Sequence, residues 1–197
     1  MVRVRIPATS ANLGAGFDSL GLAVNLYNYV DMEESDGVFI SSTDGTWVPT
    51  TKENLIYQSA QRLYDECGKK LCGLRIIQQN NIPMTRGLGS SSACIVGGLA
   101  AANQMLGNPL GLDDMVGLAS DIEGHPDNTT PALLGGIVTA VLEEGKVFWV
   151  KQEVHSALRL IAVIPDFKLS TEMARQVLPE KVSHMDARYN LSRAALF

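Results

Sequence analysis

Gly87, Gly89 and the run Ser90-Ser91-Ser92 fall together in the stretch PMTRGLGSSSA, residues 83–93, which leads into the small apolar sequence CIVGGLAAANQML. Glycines at this spacing allow tight bends and close approach of a ligand to the backbone, and the apolar run reads as a helix from Ala93 to Leu106. Backbone N–H groups of such a loop and the unpaired donors at a helix start converge on one point, where the helix dipole favours negative charge. The chemistry this suits is the cradling of a phosphate chain. The serines can cap the helix, and one hydroxyl can reach a phosphate-bound Mg2+. A plain Gly/Ser turn capping a helix is the competing reading of the same residues. No lysine follows the second glycine, so the loop is not a Walker A motif, and Arg86 is the nearest cation.

Two further segments concentrate polar groups. PATSANLGAGFDSLGLAV, residues 7–24, is small, polar and punctuated by glycine, and its Asn12 and Asp18 can fix a polar ligand; a glycine-rich turn between strands is the alternative. EGHPDN, residues 123–128, places two carboxylates, a histidine and a carboxamide within six residues, although the same letters also make a turn after a helix.

The elements that must position these groups follow from periodicity. Val2 to Ile6 alternates as a half-buried strand, and Leu20 to Glu33 reads as a long strand with Val38 to Ser41 as its hairpin partner. Glu53 to Cys67 is a helix with Leu55, Ile56, Ala60, Leu63 and Tyr64 on one face and Gly68 at its C-cap. A strand at Leu74 to Gln78 delivers the chain into the glycine loop. The helix behind that loop is rich in Ala and Gly, as expected where a helix packs tightly on a sheet. A helix over Leu112 to Ile122 follows, with Asp113 and Asp114 in its first turn. Gly135 to Leu142 and Val147 to Gln152 form a hairpin. Leu158 to Ile164 reads as a strand, Ser170-Thr171 caps a short helix through Val177, and Val182 to Phe197 has helical spacing. The restart of strand then helix after the hairpin suggests a change of domain near residue 155.

Bulk properties narrow the class. With 197 residues, 46% hydrophobic and 19% charged, the chain is an ordinary globular sequence rather than a disordered one. A net charge of −5 and the lack of a basic cluster beyond Lys69-Lys70 exclude a duplex nucleic-acid binder from the expectation. Cys67, Cys72 and Cys94 form neither CxxC nor a zinc spacing and read as reduced thiols, with Cys94 a core residue rather than a nucleophile. No signal peptide and no bilayer-spanning stretch is visible, so no membrane partner and a cytoplasmic location are expected.

The segments at 7–24, 83–93 and 123–128, with TPALLGG at 130–136, together resemble the GHMP family of small-molecule kinases, most closely its homoserine kinase branch. The resemblance implies an α+β fold: over 1–155 an ATP-binding N-terminal domain like domain 2 of ribosomal protein S5, and over 156–197 the start of a ferredoxin-like C-terminal domain. It implies transfer of the ATP γ-phosphate to L-homoserine, giving O-phospho-L-homoserine on the route to threonine. The alternatives are another GHMP small-molecule kinase of mevalonate type, or a truncated ATP-binding domain without turnover. Carried over residue by residue, the resemblance assigns Pro83, Met84, Thr85, Arg86, Gly87, Leu88, Gly89, Ser90, Ser91, Ser92 and Ala93 to the phosphates and Asn54 to the nucleotide. Ser91 and Glu123 would hold Mg2+. Asn12, Asp18 and Asn128 would bind the substrate, with Asp18 suited to its ammonium group and Arg175 gripping its carboxylate. Asn128 and Thr171 would stand at the reaction centre. Asp127 is the one candidate base, against a mechanism in which the hydroxyl loses its proton late, to the phosphate. Family members carry a third glycine-rich motif and a second arginine that this chain lacks, so the sequence is expected to be C-terminally truncated. The sheet edge and apolar face thereby exposed point to a homodimer.

Overall fold

The alternating N-terminus forms β1 (Val2–Ala11), paired antiparallel along its length with β2 (Leu20–Glu34). The computed structural model describes residues 1–163 and 171–196, the side chains of 171–173 excepted. β3 (Phe39–Ser42) precedes α1 (Leu55–Glu66), β4 (Leu74–Gln79) and α2 (Ser90–Met105). Then come α3 (Leu112–Glu123), α4 (Pro126–Leu134), β5 (Ile137–Glu143) and β6 (Lys146–Gln152). Two helices, α5 (Thr171–Gln176) and α6 (His184–Ala194), complete the described elements.

β2 is the centre of the sheet, whose order is β3-β4-β2-β5-β6 with β1 also on β2. Gly21 pairs with both Ala11 and Val138, and Tyr29 with both Arg5 and Gln79. One edge of β2 is therefore filled by β1, and the other is shared between β5 at its start and β4 at its end. Ile6, Ala8, Val30, Met32, Leu74 and Ile76 alternate into one core with Ile56, Leu63, Ile95 and Leu99 of the helices. The intervening Arg3, Arg5, Tyr29 and Arg75 carry exposed cation–π and ion pairs. The mixed α+β class is that expected, and α2 packs as its composition requires: a Cβ at Gly97 would lie 3.0 Å from Ile6.

Four local expectations are corrected. β3 does not form a hairpin with β2; it pairs parallel with β4, because at that end both edges of β2 are already taken. α2 starts at Ser90 rather than Ala93, with Gly89 as its N-cap, so the serines lie inside the helix instead of capping it. The HPDN segment is no turn: Pro126 occupies the first position of α4, where its missing N–H costs nothing. Residues 158–163 form no strand, Ile161 and Val163 being 89% exposed and without a strand partner among the described residues; Ile164 lies outside those residues, as does Ser170. The β5–β6 hairpin does turn where expected, with positive φ at Glu144 and Gly145.

α4 lies unusually close to β2. Pro131 has no N–H for the carbonyl of Asp127 four residues earlier, and that carbonyl faces Gly21. A Cβ on Gly21 would stand 1.8 Å from the Asp127 oxygen and 2.9 Å from the Pro131 ring. Gly21→Ala is expected to lower stability in urea unfolding by about 1–3 kcal/mol, the usual range for overpacking; a loss under about 0.5 kcal/mol would show that α4 can move aside.

Candidate active site

Buried Asn28 of β2 accepts from the Ile82 N–H at 2.9 Å and so fixes the chain as it leaves β4 for the glycine loop. The loop bends through positive φ at Thr85, Gly87 and Gly89. Gly89 is required twice over: its φ is +67°, and a Cβ there would lie 2.0 Å from Thr9 Oγ1 and 3.3 Å from Asn128 Oδ1. The first bond of the α2 ladder runs from the Ala93 N–H to the Gly89 carbonyl at 2.8 Å. The amides of Ser90, Ser91 and Ser92 precede that ladder, at the positive end of the helix dipole. They border a cavity of about 690 Å3 lined by Met84 through Ser92 together with Leu55, Glu123, His125, Asn128 and Arg175. The arrangement can hold a chain of phosphates against backbone donors.

Glu123, the last residue of α3, accepts from Ser91 Oγ at 2.8 Å and Ser92 Oγ at 3.0 Å, both on Oε1. One carboxylate with adjacent hydroxyls is a hard-oxygen donor set that fits Mg2+, a cation that usually takes one or two protein ligands and completes its shell with phosphate and water. Among the described residues no three His, Cys, Asp or Glu side chains gather as a metal cage. Cys94 is half-buried and lines the same cavity, and burial with nearby Glu123 pushes its thiol up to about 11, which keeps it in the neutral thiol form at ordinary pH.

Behind the cavity wall runs a chain of side-chain hydrogen bonds. Thr9 Oγ1 donates to Asn128 Oδ1 at 2.8 Å, Asn128 Nδ2 donates to Asp127 Oδ1 at 3.3 Å, and His125 Nδ1 shares that same oxygen at 2.6 Å. Asp127 is 1% exposed, its Oδ2 has no partner among the described residues, and it does not line the cavity. Its hydrogen bond raises the pKa of His125 against the opposing effect of burial.

Asp18 and Arg175 meet in a bidentate pair at 2.9 and 2.5 Å, the guanidinium lying 5.3 Å from the centre of the Phe17 ring. Asp18 has positive φ, and its N–H donates to Asn12 Oδ1 at 2.8 Å, which shapes the intervening turn.

The structure thus brings Asn12, Arg175, Glu123, Asn128 and the glycine loop to one cavity, with Asp18 joined to it through Arg175. Pro83 and Ala93 bracket the loop without lining the cavity. Asn54 is 3% exposed and spent on structure: its Oδ1 caps α1 at Ile56 N–H, and its Nδ2 donates to the Pro49 carbonyl. Thr171 opens α5, and its side chain lies outside the described residues. Sequence reasoning gave no role to His125 or Thr9. The His-Pro-Asp spacing was a usable signal for the first. Thr9 was hidden, because the β1–β2 register breaks between Pro7 and Ala8 and leaves Ala8 and Thr9 both buried, against strict alternation.

An α+β domain whose glycine loop feeds a helix start beside a carboxylate is the class of phosphate-binding domain found in small-molecule kinases, and residues 54–136 match the GHMP kinases N terminal domain. The chain belongs to the homoserine kinase family of GHMP kinases. It is 49% identical over 200 residues to the homoserine kinase of Desulfitobacterium hafniense, covering 100% of this chain and 67% of that one. To the homoserine kinase of Caldicellulosiruptor bescii it is 49% identical over 199 residues, covering 100% of this chain and 65% of that one. The putative homoserine kinase structure from Listeria monocytogenes superposes with a TM-score of 0.82 at 36% identity, over 98% of this chain and 65% of that one. The chain therefore spans about 65% of the length of curated relatives it matches. No helix among the described residues is long and apolar enough to cross a membrane.

The His125–Asp127 pair has a pH signature. With the folded pKa above the unfolded value of about 6.5, the protonated pair stabilises the fold fully below that pH, and the contribution is lost as pH rises through the folded value. An NMR titration of the His125 ring is expected to show a midpoint above about 6.5 that falls in Asp127→Asn; equal midpoints in the two proteins would dissolve the pair.

Proposed function

We propose that this chain carries the ATP and substrate sites of a kinase that moves the γ-phosphoryl group of ATP to the hydroxyl of L-homoserine, giving O-phospho-L-homoserine in threonine biosynthesis. The observation that carries this reading is the Asp18–Arg175 pair reaching the same cavity as the glycine loop. An amino acid presents an ammonium group and a carboxylate, the counterparts of these two side chains. A mevalonate-type substrate has a carboxylate for Arg175 but no cation to take its place beside Asp18, so it would match only one of the two side chains. The names of the relatives support the same assignment.

Phosphoryl transfer passes through a loose transition state, so positioning and charge neutralisation supply most of the catalysis. In our reading the loop from Met84 to Ser92 holds the phosphates, and Ser91 with Glu123 holds Mg2+. The cation, when bound, neutralises charge on the phosphates. Asn54 serves the nucleotide indirectly by fixing the start of α1, whose Leu55 lines the cavity. Asn12 shapes the substrate turn, Asn128 faces the acceptor hydroxyl, and Thr171 stands one turn before Arg175 on α5. Asp127 is buried and committed to His125 and Asn128, which favours a positioning role over that of a base. The hydroxyl then surrenders its proton late, to the phosphate. We further assign 1–155 as the nucleotide-binding domain, 156–197 as the start of a second, a cytoplasmic location, and a homodimer formed through the exposed apolar residues after Gln152.

Thermal melts of the chain alone, with a MgATP analogue, and with analogue plus L-homoserine test the binding sites. A ligand specific for the native state adds RT ln(1 + [L]/Kd), about 2.7 kcal/mol at a hundredfold excess over Kd. Each addition is expected to raise the transition, and no response to homoserine would defeat the substrate assignment. ADP release with homoserine, mevalonate and galactose separates turnover from nucleotide binding alone, and homoserine is expected to be preferred. In that assay Asp127→Asn should lower kcat by less than about 10⁴-fold, and a larger loss would restore Asp127 as the base.

A further inference from the structure

Asn128 can meet an acceptor hydroxyl in two ways, with its carbonyl oxygen or with its amide N–H, and the structure shows how the carboxamide is turned. Asp127 Oδ1, already drawing a bond from His125, stands 3.3 Å from the Asn128 carboxamide and accepts its N–H. A flipped carboxamide would set two acceptors against each other. Asn128 Oδ1 must therefore face the other way, where Thr9 Oγ1 lies at 2.8 Å with the single donor of its hydroxyl. Thr9 is 0% exposed and competes for no water. Its backbone N–H donates to the Leu88 carbonyl at 3.2 Å, inside the glycine loop. Its Oγ1 also presses on Gly89, where there is no space for a Cβ. One residue of β1 is thus bonded to both the phosphate loop and the acceptor-site carboxamide.

We propose that Thr9 is a positioning residue that locks the Asn128 carboxamide, occupying its carbonyl oxygen so that the N–H not bonded to Asp127 serves the acceptor oxygen, and ties that carboxamide to the phosphate loop. The role of Asn128 toward an acceptor rests on the kinase reading; the locking by Thr9 does not. Asn128 so held is a donor to the reacting oxygen and takes no proton from it, which deepens the base-free reading of this site.

Thr9→Val keeps the shape of the side chain and removes the donor, whereas Thr9→Ser keeps the donor. Two readouts apply to the 197-residue chain. In the first, the Asn128 side-chain amide signals, assigned by their loss in Asn128→Ser, are followed by NMR. Thr9→Val is expected to shift the pair and speed its exchange with water about tenfold or more, the factor that one lost orienting hydrogen bond supplies, and Thr9→Ser to leave it in place. Unchanged signals in Thr9→Val overturn the proposal. In the second, homoserine-dependent ADP release should fall in kcat by about tenfold or more in Thr9→Val, with KM for ATP within about twofold, and recover in Thr9→Ser. Equal losses in both variants, or a rise in KM alone, also overturn it. Should Thr9→Val fail to show a cooperative melt, Thr9→Ala replaces it as the donorless variant. A wild-type chain without turnover favours a binding domain that needs the rest of its relatives' length to turn over, and leaves the amide signals to decide Thr9.

Discussion

The contact of Gly89 with Thr9 and Asn128 is the constraint on which the cavity depends. Three separate elements, β1, the start of α2 and α4, approach one another at a point where no side chain larger than hydrogen fits. That closeness sets the loop amides on the same wall as Asn128 and brings Glu123, at the end of α3, against Ser91 and Ser92. A second absent side chain, at Gly21, lets α4 settle on β2 with its proline-freed carbonyl. The site is thus built largely by what two glycines omit, and hydrogen bonds then fix what the close packing has brought within reach.

The charges of the site are held in pairs, each with a different purpose. Asp18 and Arg175 neutralise each other at the cavity, where an incoming zwitterion can exchange for both partners at little net electrostatic cost. Asp127 is buried and spends itself on His125 and Asn128, so its negative charge acts on orientation rather than on a ligand. Glu123 accepts from the Ser91 and Ser92 hydroxyls, neutral partners that leave its charge available to a cation.

Much of this was legible in the letters. The glycine loop, the strand alternation of β1 and β2, the face of α1 and the β5–β6 turn all rest on local rules, and local rules suffice where neighbours in sequence are neighbours in space. The failures have tertiary causes. α4 was concealed because two prolines and a polar start imitate a turn, and only its docking on β2 shows a helix that tolerates Pro131. The partner of β3 depended on which edge of β2 was already occupied, which no short window reveals. Residues 158–163 have the composition of a strand and lack one, since composition supplies no hydrogen-bonding partner. Asn54 looks polar and available in sequence, yet its side chain is consumed at the start of α1.

β2 is laid down early in the chain, and one side of its first half waits a long time for company. The β1–β2 ladder is local, but Leu20 to Leu22 meet β5 only at residues 137–139. Thr9 reaches Asn128 across 119 positions, and Arg175 reaches Asp18 across 157. Contacts of such separation form late, because the loop entropy is spent before they repay it. On a ribosome the phosphate loop and α2 leave the exit tunnel before α4 emerges to cover them. The cavity is accordingly among the last features to assemble, and a nucleotide can tighten a nearly finished fold but cannot template an early one.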